Sequence, residues 1–226
     1  MSLTELSDLI QGTDEWLDAR RGIVTASVVG QLITPKTIKP AANDYSRALT
    51  TTLVAERITG WTDPVFVSAD MFRGTMDEPI ARDAYSRHVG KPVVELGFMI
   101  CDDWGYSIGY SPDGLVGGDG LIECKSRRQK KHLSTILADE VPLENMAQIQ
   151  CGLLVSGREW CDYVSFSGGM PLWIKRVTPD VRWFAAIVLA VETFEMDAAL
   201  MVAAYTVSVA GLPMTERAAL NAEIRF

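Results

Sequence analysis

The stretch SPDGLVGGDGLIECKS at residues 111–126 predicts a β-hairpin with charged side chains close to a glycine-rich turn. Alternate residues of a strand share one face, so Glu123 and Lys125 point the same way and Cys124 points into the opposite layer. Pairing of the two strands across the turn brings Asp113 beside Glu123. The stretch therefore predicts two carboxylates and an ammonium group at one place.

Two carboxylates held this close repel each other unless one is protonated or a cation lies between them. A hard divalent cation suits them, because Mg²⁺ takes one or two carboxylates together with waters and phosphate oxygens. Lys125 then orients or helps to deprotonate an attacking water and offsets developing phosphate charge. Taken alone, the pattern also fits an exposed hairpin with an ordinary surface Glu–Lys pair.

The remaining pattern predicts a mixed α/β fold in one domain, residues 1–226. With 48% hydrophobic residues, the chain is long enough to bury a full core. Capping residues and glycine stops predict the longer helices at 43–59, 68–89, 129–138, 142–156 and 180–207. Strands are predicted at 92–101, 106–111, 120–126, 159–167 and 171–177. Helices lead, a sheet follows, and further helices pack around it.

Composition excludes several classes of protein. The four cysteines form no CxxC pair, which favours buried thiols in the cytoplasm over a metal or disulfide framework. The acidic N-terminus lacks the features of a signal peptide. Acidic residues interrupt the apolar segment 183–212, which favours a helix buried in the core or against another subunit over a membrane span. His88 and His132 show no metal pattern and are expected at the surface or at helix ends.

The charge of the chain leaves two interpretations open. A net charge of −8 has the wrong sign for a protein that coats nucleic acid. The segment KSRRQKKH at 125–132 nevertheless places five Lys or Arg residues within eight. Such a run forms either a solvated helix face or the basic lining of a channel that holds DNA.

The spacing Asp-x9-Glu-Cys-Lys, opened by SPDG, resembles the metal site of the PD-(D/E)xK nucleases. Within that superfamily it is similar to the phage lambda exonuclease group, the YqaJ-like viral recombinases. Three further blocks resemble that family in the same order: EWLDARRGIVTAS at 15–27, FRGTMDEPIARDAY at 72–85 and MAQIQCGLLVSG at 146–157. The resemblance implies a restriction-endonuclease-like core with a central mixed β-sheet flanked by helices.

The resemblance also implies the catalytic residues. Asp113 and Glu123 correspond to the metal-binding carboxylates, with the backbone carbonyl of Cys124 as a further ligand. Lys125 corresponds to the catalytic lysine. Glu78, four residues after a glycine, corresponds to a third acid that completes a two-metal site; an exposed helix acid is the alternative.

Two more residues match family positions near the scissile bond. Gln148 matches a glutamine that in relatives lies near the attacking water or the scissile phosphate, although Cys151 replaces the tyrosine found three residues later. Phe72, two residues before Gly74, matches an apolar wedge that helps to part the duplex. A core aromatic residue on a helix is the alternative for Phe72.

The resemblance places a terminal phosphate among basic and hydroxyl side chains. Arg20 and Ser27 match residues that hold the 5′-phosphate of the substrate. Lys131 stands where a relative has an arginine in the same task, and it lacks the bidentate fork of arginine. Arg127 or Arg128 substitutes for it if the loop differs by a few residues.

The resemblance therefore implies a deoxyribonuclease: a 5′→3′ exonuclease on double-stranded DNA ends that leaves a 3′ overhang. It uses Mg²⁺, with Mn²⁺ as a possible substitute, and releases 5′-mononucleotides. The family implies a homotrimeric ring, a phage single-strand annealing protein as partner, and a phage or prophage origin in the cytoplasm of a bacterial host. The alternatives are a structure-specific endonuclease or RecB-like nuclease, and a non-catalytic DNA-binding recombination factor. A glycosidase leaves Lys125 and the basic run without a role.

Overall fold

A computed structural model describes residues 2–217, which contain seven α-helices, eleven β-strands and one 3₁₀ turn. The helices are α1 (Asp14–Arg20), α2 (Ala26–Val29), α3 (Asp44–Thr59), α4 (Ala69–Val89), α5 (Gln129–Ala138), α6 (Leu143–Ser156) and α7 (Val181–Ser208). The strands are β1 (Leu3–Leu6), β2 (Val24–Thr25), β3 (Ile33–Thr34), β4 (Lys39–Pro40), β5 (Val93–Val94), β6 (Phe98–Cys101), β7 (Ile108–Tyr110), β8 (Gly114–Val116), β9 (Gly120–Ser126), β10 (Trp160–Phe166) and β11 (Trp173–Val177).

Two sheets form the centre of the fold. The larger has the strand order β11-β10-β9-β8-β5, the smaller has the order β1-β6-β7-β2, and β3 and β4 form a separate ribbon. Strand β9 lies in the middle of the larger sheet, parallel to β10 and antiparallel to β8. The mixed sheet with helices packed on it confirms the predicted α/β, restriction-endonuclease-like core.

Strand β9 is buried on both faces, which explains its almost continuous apolar sequence. On one face Leu121 belongs to the main core with α6 and α7. On the other face Ile122 and Cys124 pack against Ala81 and Tyr85 of α4. The four cysteines are free and buried in the structure, as the sequence indicated.

Two glycines allow the β8–β9 hairpin to pack closely. A Cβ atom on Gly114 would lie 2.2 Å from Cγ1 of Val93, and one on Gly120 would lie 2.2 Å from the ring of Trp160. The turn between the strands passes through Gly117 at φ +61°, a conformation that favours glycine. The glycines therefore fix how close the neighbouring strands and side chains come to the hairpin.

The predicted strand at 92–101 is wrong as a single element. Val93 and Val94 pair with β8 in the larger sheet, whereas Phe98–Cys101 pair with β1 and β7 in the smaller one. The chain crosses between the sheets at Gly97, where a Cβ atom would lie 2.0 Å from the carbonyl oxygen of Leu9. Side-chain patterning carries no information about such a backbone contact.

The prediction of a surface position is also wrong for His132. Its side chain is fully buried, with Nδ1 2.8 Å from Oγ of Ser165 and Nε2 2.9 Å from the carbonyl oxygen of Pro171. These two contacts fasten the start of α5 to the end of β10.

Helix α7 continues past the core. Its last fully buried residue is Ala198, and the following ten residues carry exposed Leu200, Tyr205 and Val207. No helix within residues 2–217 is long and apolar enough to cross a membrane.

Candidate active site

The β8–β9 ladder brings the two hairpin carboxylates together. Gly114 pairs with Ile122, so the next position along both strands sets Asp113 opposite Glu123. The Oδ2 atom of Asp113 accepts a hydrogen bond of 2.7 Å from the backbone N–H of Cys124. This bond holds the Asp113 side chain against the catalytic strand.

Burial makes this pair of carboxylates costly in the free protein. Burial raises the pKa of Asp113 well above its usual range, and the charge of Glu123 raises it further, while Lys125 opposes both. Glu123 itself has no solvent exposure. Either protonation of Asp113 or a bound cation therefore relieves this cost.

Lys125 supplies the positive charge in the site. Its Nζ atom lies 2.5 Å from Oε1 of Glu123 in an ion pair. Burial alone lowers the pKa of Lys125, but the charges of Glu123 and Asp113 outweigh it and raise the pKa above the ordinary lysine value. The side chain is therefore an ammonium at neutral pH, which donates hydrogen bonds and stabilises negative charge.

Glu78 of α4 faces the same pocket. Its Oε1 atom accepts a hydrogen bond of 2.7 Å from Arg82, which also pairs with Glu95. Burial raises the pKa of Glu78, and the charge of Glu123 adds to this effect, although Arg82 opposes it. A cavity of about 330 Å³ is lined by Glu78, Asp113 and Lys125. The structure thus places the third predicted acid at the site, in an ion pair with Arg82.

The oxygen donors fit a hard cation. Within residues 2–217, no group of three or more His, Cys, Asp or Glu side chains is arranged to hold a metal. Mg²⁺ needs fewer, because it takes one or two carboxylates and keeps several waters. Oε1 of Glu123 pairs with Lys125, but Oε2 is buried and accepts no hydrogen bond from the described residues, an arrangement that costs free energy unless a further cation compensates it. Asp113, Glu123 and the carbonyl of Cys124 are the residues that would hold the cation.

Two other predicted residues lie on the flanking helices. Gln148 is half-buried on α6, a helix whose buried residues belong to the same core cluster as Leu121 of β9. Phe72 on α4 is 62% exposed, which contradicts the alternative of a core aromatic residue, while its role as a wedge stays a prediction.

A second cluster gathers around Arg20. Its Nη2 atom donates hydrogen bonds of 3.0 Å to the hydroxyls of Thr25 and Ser27, which lie 3.1 Å from each other. The guanidinium group stacks on the ring of Trp16, 4.0 Å from its centroid. The structure therefore brings the predicted phosphate contacts Arg20 and Ser27 together, with two hydroxyls and a guanidinium group facing one spot.

Trp16 joins this cluster to the catalytic hairpin. Its Nε1–H donates a hydrogen bond of 2.9 Å to Oγ of Ser111, and Gln11 donates one of 3.2 Å to the carbonyl oxygen of Pro112. Both contacts fall within two residues of Asp113. Sequence reasoning missed the role of Gln11 and Ser111, and the serine of the SPDG motif was the one available signal.

The basic run is only partly exposed. Arg127 points inward, with hydrogen bonds of 2.8 Å to Asn145 and 3.2 Å to Tyr163. Lys131 pairs with Glu144 at 2.8 Å. Arg128, Lys130 and Lys131 are exposed, so both the helix-face and the channel-lining interpretations stay open for them, whereas Arg127 belongs to the interior contacts.

Two residues of α4 that were not predicted, Asp70 and Arg73, adjoin the exposed part of the run and complete the basic surface with it. Arg128 donates a hydrogen bond to Asp70 at the start of α4, and Arg73 donates to the same carboxylate oxygen. Helix α4 lies far from the run in sequence, so no local pattern indicated this contact.

Comparisons with known proteins identify the family of this chain. A family model described as the YqaJ-like viral recombinase domain matches residues 15–159. A crystal structure of an alkaline exonuclease from Laribacter hongkongensis is 32% identical, with a TM-score of 0.79 over 89% of this chain and 100% of that chain. The same enzyme in complex with dAMP is 33% identical, with a TM-score of 0.78 over the same shares of each chain.

A phage-related exonuclease from Haemophilus somnus 129PT shares the fold alone, at 10% identity and a TM-score of 0.60, over 81% of this chain and 96% of that one. A search of curated proteins gave no significant match. The family and the exonuclease relative at 32% identity confirm the prediction of a deoxyribonuclease. The family model matches residues 15–159, and the alkaline exonuclease aligns with 89% of this chain. The chain therefore belongs to the YqaJ-like viral recombinase family.

Proposed function

We propose that this protein is a Mg²⁺-dependent exonuclease that digests one strand of a DNA duplex from its 5′ end and leaves a 3′ overhang. The observation that carries the proposal is the meeting of Asp113, Glu123 and Lys125 at β9, where Asp113 and Lys125 line one pocket and Glu123 lies buried beside them. The alkaline exonuclease with bound dAMP, 33% identical, supports a deoxynucleotide substrate.

The reaction hydrolyses the first phosphodiester bond of the 5′ strand. A water adds its oxygen to the phosphorus, the bond from phosphorus to the 3′ oxygen breaks, and that oxygen takes a proton. The products are a 5′-mononucleotide and a strand shortened by one residue that again ends in a 5′-phosphate. The shortened strand is itself the next substrate. An enzyme that binds the terminal 5′-phosphate can therefore bind the new end after each cleavage.

Each side chain has a distinct part in this scheme. When bound, Mg²⁺ supplies an activated water and neutralises phosphate charge. Asp113 and Glu123 provide the negative charge that retains the cation, and the N–H of Cys124 keeps Asp113 in position. Lys125, as an ammonium, donates to the water or to a phosphate oxygen and stabilises the charge that develops there.

Arg20 and Ser27 support the choice of the 5′ end. A guanidinium group and a hydroxyl that converge at 3.0 Å form a charge-assisted donor set for a phosphate. Trp16 ties this set to Ser111, two residues from Asp113, so the two sites are linked by direct contacts. A terminal phosphate held there leaves the next phosphodiester to reach the carboxylates. We assign Gln148 to the attacking water and Phe72 to the separation of the strands.

We also propose a homotrimeric ring. The end of α7 exposes Leu200, Tyr205 and Val207, whose burial against a neighbouring copy would cover an apolar surface. A ring turns acidic outer faces away from the duplex and directs the basic surface toward it, which offsets the net charge of −8. The single-stranded product would pass to an annealing protein in the cytoplasm of a bacterial host that carries the phage or prophage.

One experiment tests the nuclease and its direction. Blunt linear, nicked and circular duplexes, labelled at either the 5′ or the 3′ end, are incubated with Mg²⁺ and with a chelator. The proposal expects early loss of the 5′ label from linear duplex, little change in circles, and no digestion in chelator. Asp113→Asn, which keeps the size of the side chain, should remove cleavage from a folded protein.

The outcomes separate the alternatives. Cleavage of intact circles would favour an endonuclease, and binding of all substrates without cleavage would favour a non-catalytic recombination factor. Early loss of the 3′ label would overturn the proposed direction and leave the catalytic site in place.

A further inference from the structure

Asp70 occupies an unusual position between two arginines. Its Oδ1 atom accepts hydrogen bonds of 2.6 Å from Nη1 of Arg73 and of 2.9 Å from Nε of Arg128, and Nη2 of Arg128 lies 2.8 Å from the same oxygen in an ion pair. One carboxylate oxygen therefore receives donors from α4 and from the residue before α5. The hydrogen bonds from Arg73 and Arg128 hold the pKa of Asp70 below its usual range, so it is ionised at neutral pH.

This cluster lies beside the catalytic pocket. A cavity of about 370 Å³ is lined by Asp70, Arg73, Arg128 and Lys131, and it shares Asp70, Met71 and Ser126 with the cavity that contains Asp113 and Lys125. Arg73 is also fastened to the catalytic strand, because its Nε–H donates a hydrogen bond of 3.0 Å to Oγ of Ser126.

We propose that Arg73 and Arg128 form a subsite for an internal phosphodiester of the substrate strand, and that Asp70 fills this subsite in the free enzyme. This inference rests on the proposed function. A carboxylate oxygen and a phosphate oxygen present the same chemistry to a guanidinium group, so a DNA phosphate replaces Asp70 without a change in the donors.

The exchange is easy because the ion pairs are exposed. The side chains of Asp70 and Arg128 are 56% and 71% exposed, and ion pairs of this kind are weak in water. A phosphate carried by a bound strand competes at high effective concentration. Asp70 thus lowers the affinity of the protein for nucleic acid in general. A phosphate of a strand that is already bound in the catalytic pocket displaces it from the two arginines.

The position of the subsite favours an internal phosphate over the terminal one. The catalytic pocket borders two cavities: one is lined by Trp16, the partner of Arg20, and the other by Arg73 and Arg128. A strand whose terminal phosphate lies at Arg20 and whose scissile bond lies at Asp113 extends its later phosphates toward the second cavity.

The test is binding of a fluorescent duplex in chelator, where no cleavage occurs, over a range of salt concentrations. Asp70→Asn should tighten binding about threefold to tenfold at low salt, the scale of one charge-assisted phosphate contact. It should also steepen the plot of log affinity against log salt by about 0.7–0.9, which is one additional phosphate. Arg128→Ala should weaken binding and flatten the same plot by a similar amount.

A matched control separates this effect from a general loss of charge. Asp44 and Arg47 form the same kind of pair three residues apart in the first turn of α3, and Arg47 lines a different cavity, between α3 and α7. Asp44→Asn should leave affinity and salt dependence unchanged. The gain from Asp70→Asn should shrink in the Arg128→Ala background, because both changes act at one subsite.

The results distinguish this proposal from the proposed function. An Asp70→Asn protein that binds like Asp44→Asn, while the wild type cleaves duplex, would overturn the subsite alone. A gain on 5′-phosphorylated ends that is absent on 5′-hydroxyl ends would assign the arginines to the terminal phosphate and overturn the internal subsite. A wild-type protein that neither binds nor cleaves DNA would overturn both.

Discussion

Replacement of Lys125 by methionine tests the chemistry of the site most directly. Methionine keeps much of the length of the side chain and removes the ammonium group that lies 2.5 Å from Glu123. The loss of one electrostatic partner of the transition state costs about 10²–10³-fold in rate, or about 2.7–4 kcal/mol. Lys125→Met should therefore reduce digestion of linear duplex by at least this factor in saturating Mg²⁺.

The same substitution should destabilise the metal-free protein. Glu123 has no solvent exposure, so removal of Lys125 leaves a buried carboxylate without a counter-ion. Breaking a buried pair costs about 3–5 kcal/mol, and about 3 kcal/mol is the least that we expect here. For a chain of this length, about 3 kcal/mol lowers the melting temperature by about 6–12 °C. Added Mg²⁺ should restore part of the loss.

The assay combines thermal melting in chelator and in Mg²⁺ with the rate of duplex digestion. Lys175→Met is the matched control, because Lys175 forms an exposed ion pair with Asp139 outside the pocket. The control should melt and cleave like the wild type. A Lys125→Met protein that cleaves at the wild-type rate, or that melts together with Lys175→Met in chelator, would refute the assigned role of Lys125.

Three further predictions concern the surroundings of the site. Arg20→Ala should erase most of the preference for 5′-phosphorylated over 5′-hydroxyl ends, measured as a ratio of initial rates; equal rates on both ends in the wild type would contradict a phosphate pocket. Trp16→Phe keeps a ring under Arg20 but removes the N–H that Ser111 accepts, so it should lower kcat more than it raises KM; a change in KM alone would show that the contact does not position Asp113. Light scattering should report about three times the 24.8 kDa chain mass, and Leu200→Glu, at a 70% exposed position, should shift the protein toward monomer; a wild-type monomer would exclude the ring.

The sequence determined the catalytic hairpin because its information is local. The period of two residues along β9 placed Glu123 and Lys125 on one face, and the glycine-rich turn brought Asp113 back beside them. The ends of helices that begin at a capping side chain and stop at a glycine could also be predicted from the sequence. Asn43 caps α3 in a capping box, and Gly90 ends α4 at φ +67°. These features depend on neighbours within a few residues.

Only the tertiary structure decided the contacts between segments that lie far apart along the chain. The split of the strand at 92–101, the burial of His132 and the inward turn of Arg127 all depend on partners that no periodic pattern reports. The ion pair of Asp70 with Arg128 joins α4 to the residue before α5 across more than fifty residues. The sequence does not show whether a charged side chain is solvated, paired with a carboxylate or bound to a phosphate. The packing of the helices around the sheet determines which partner it has.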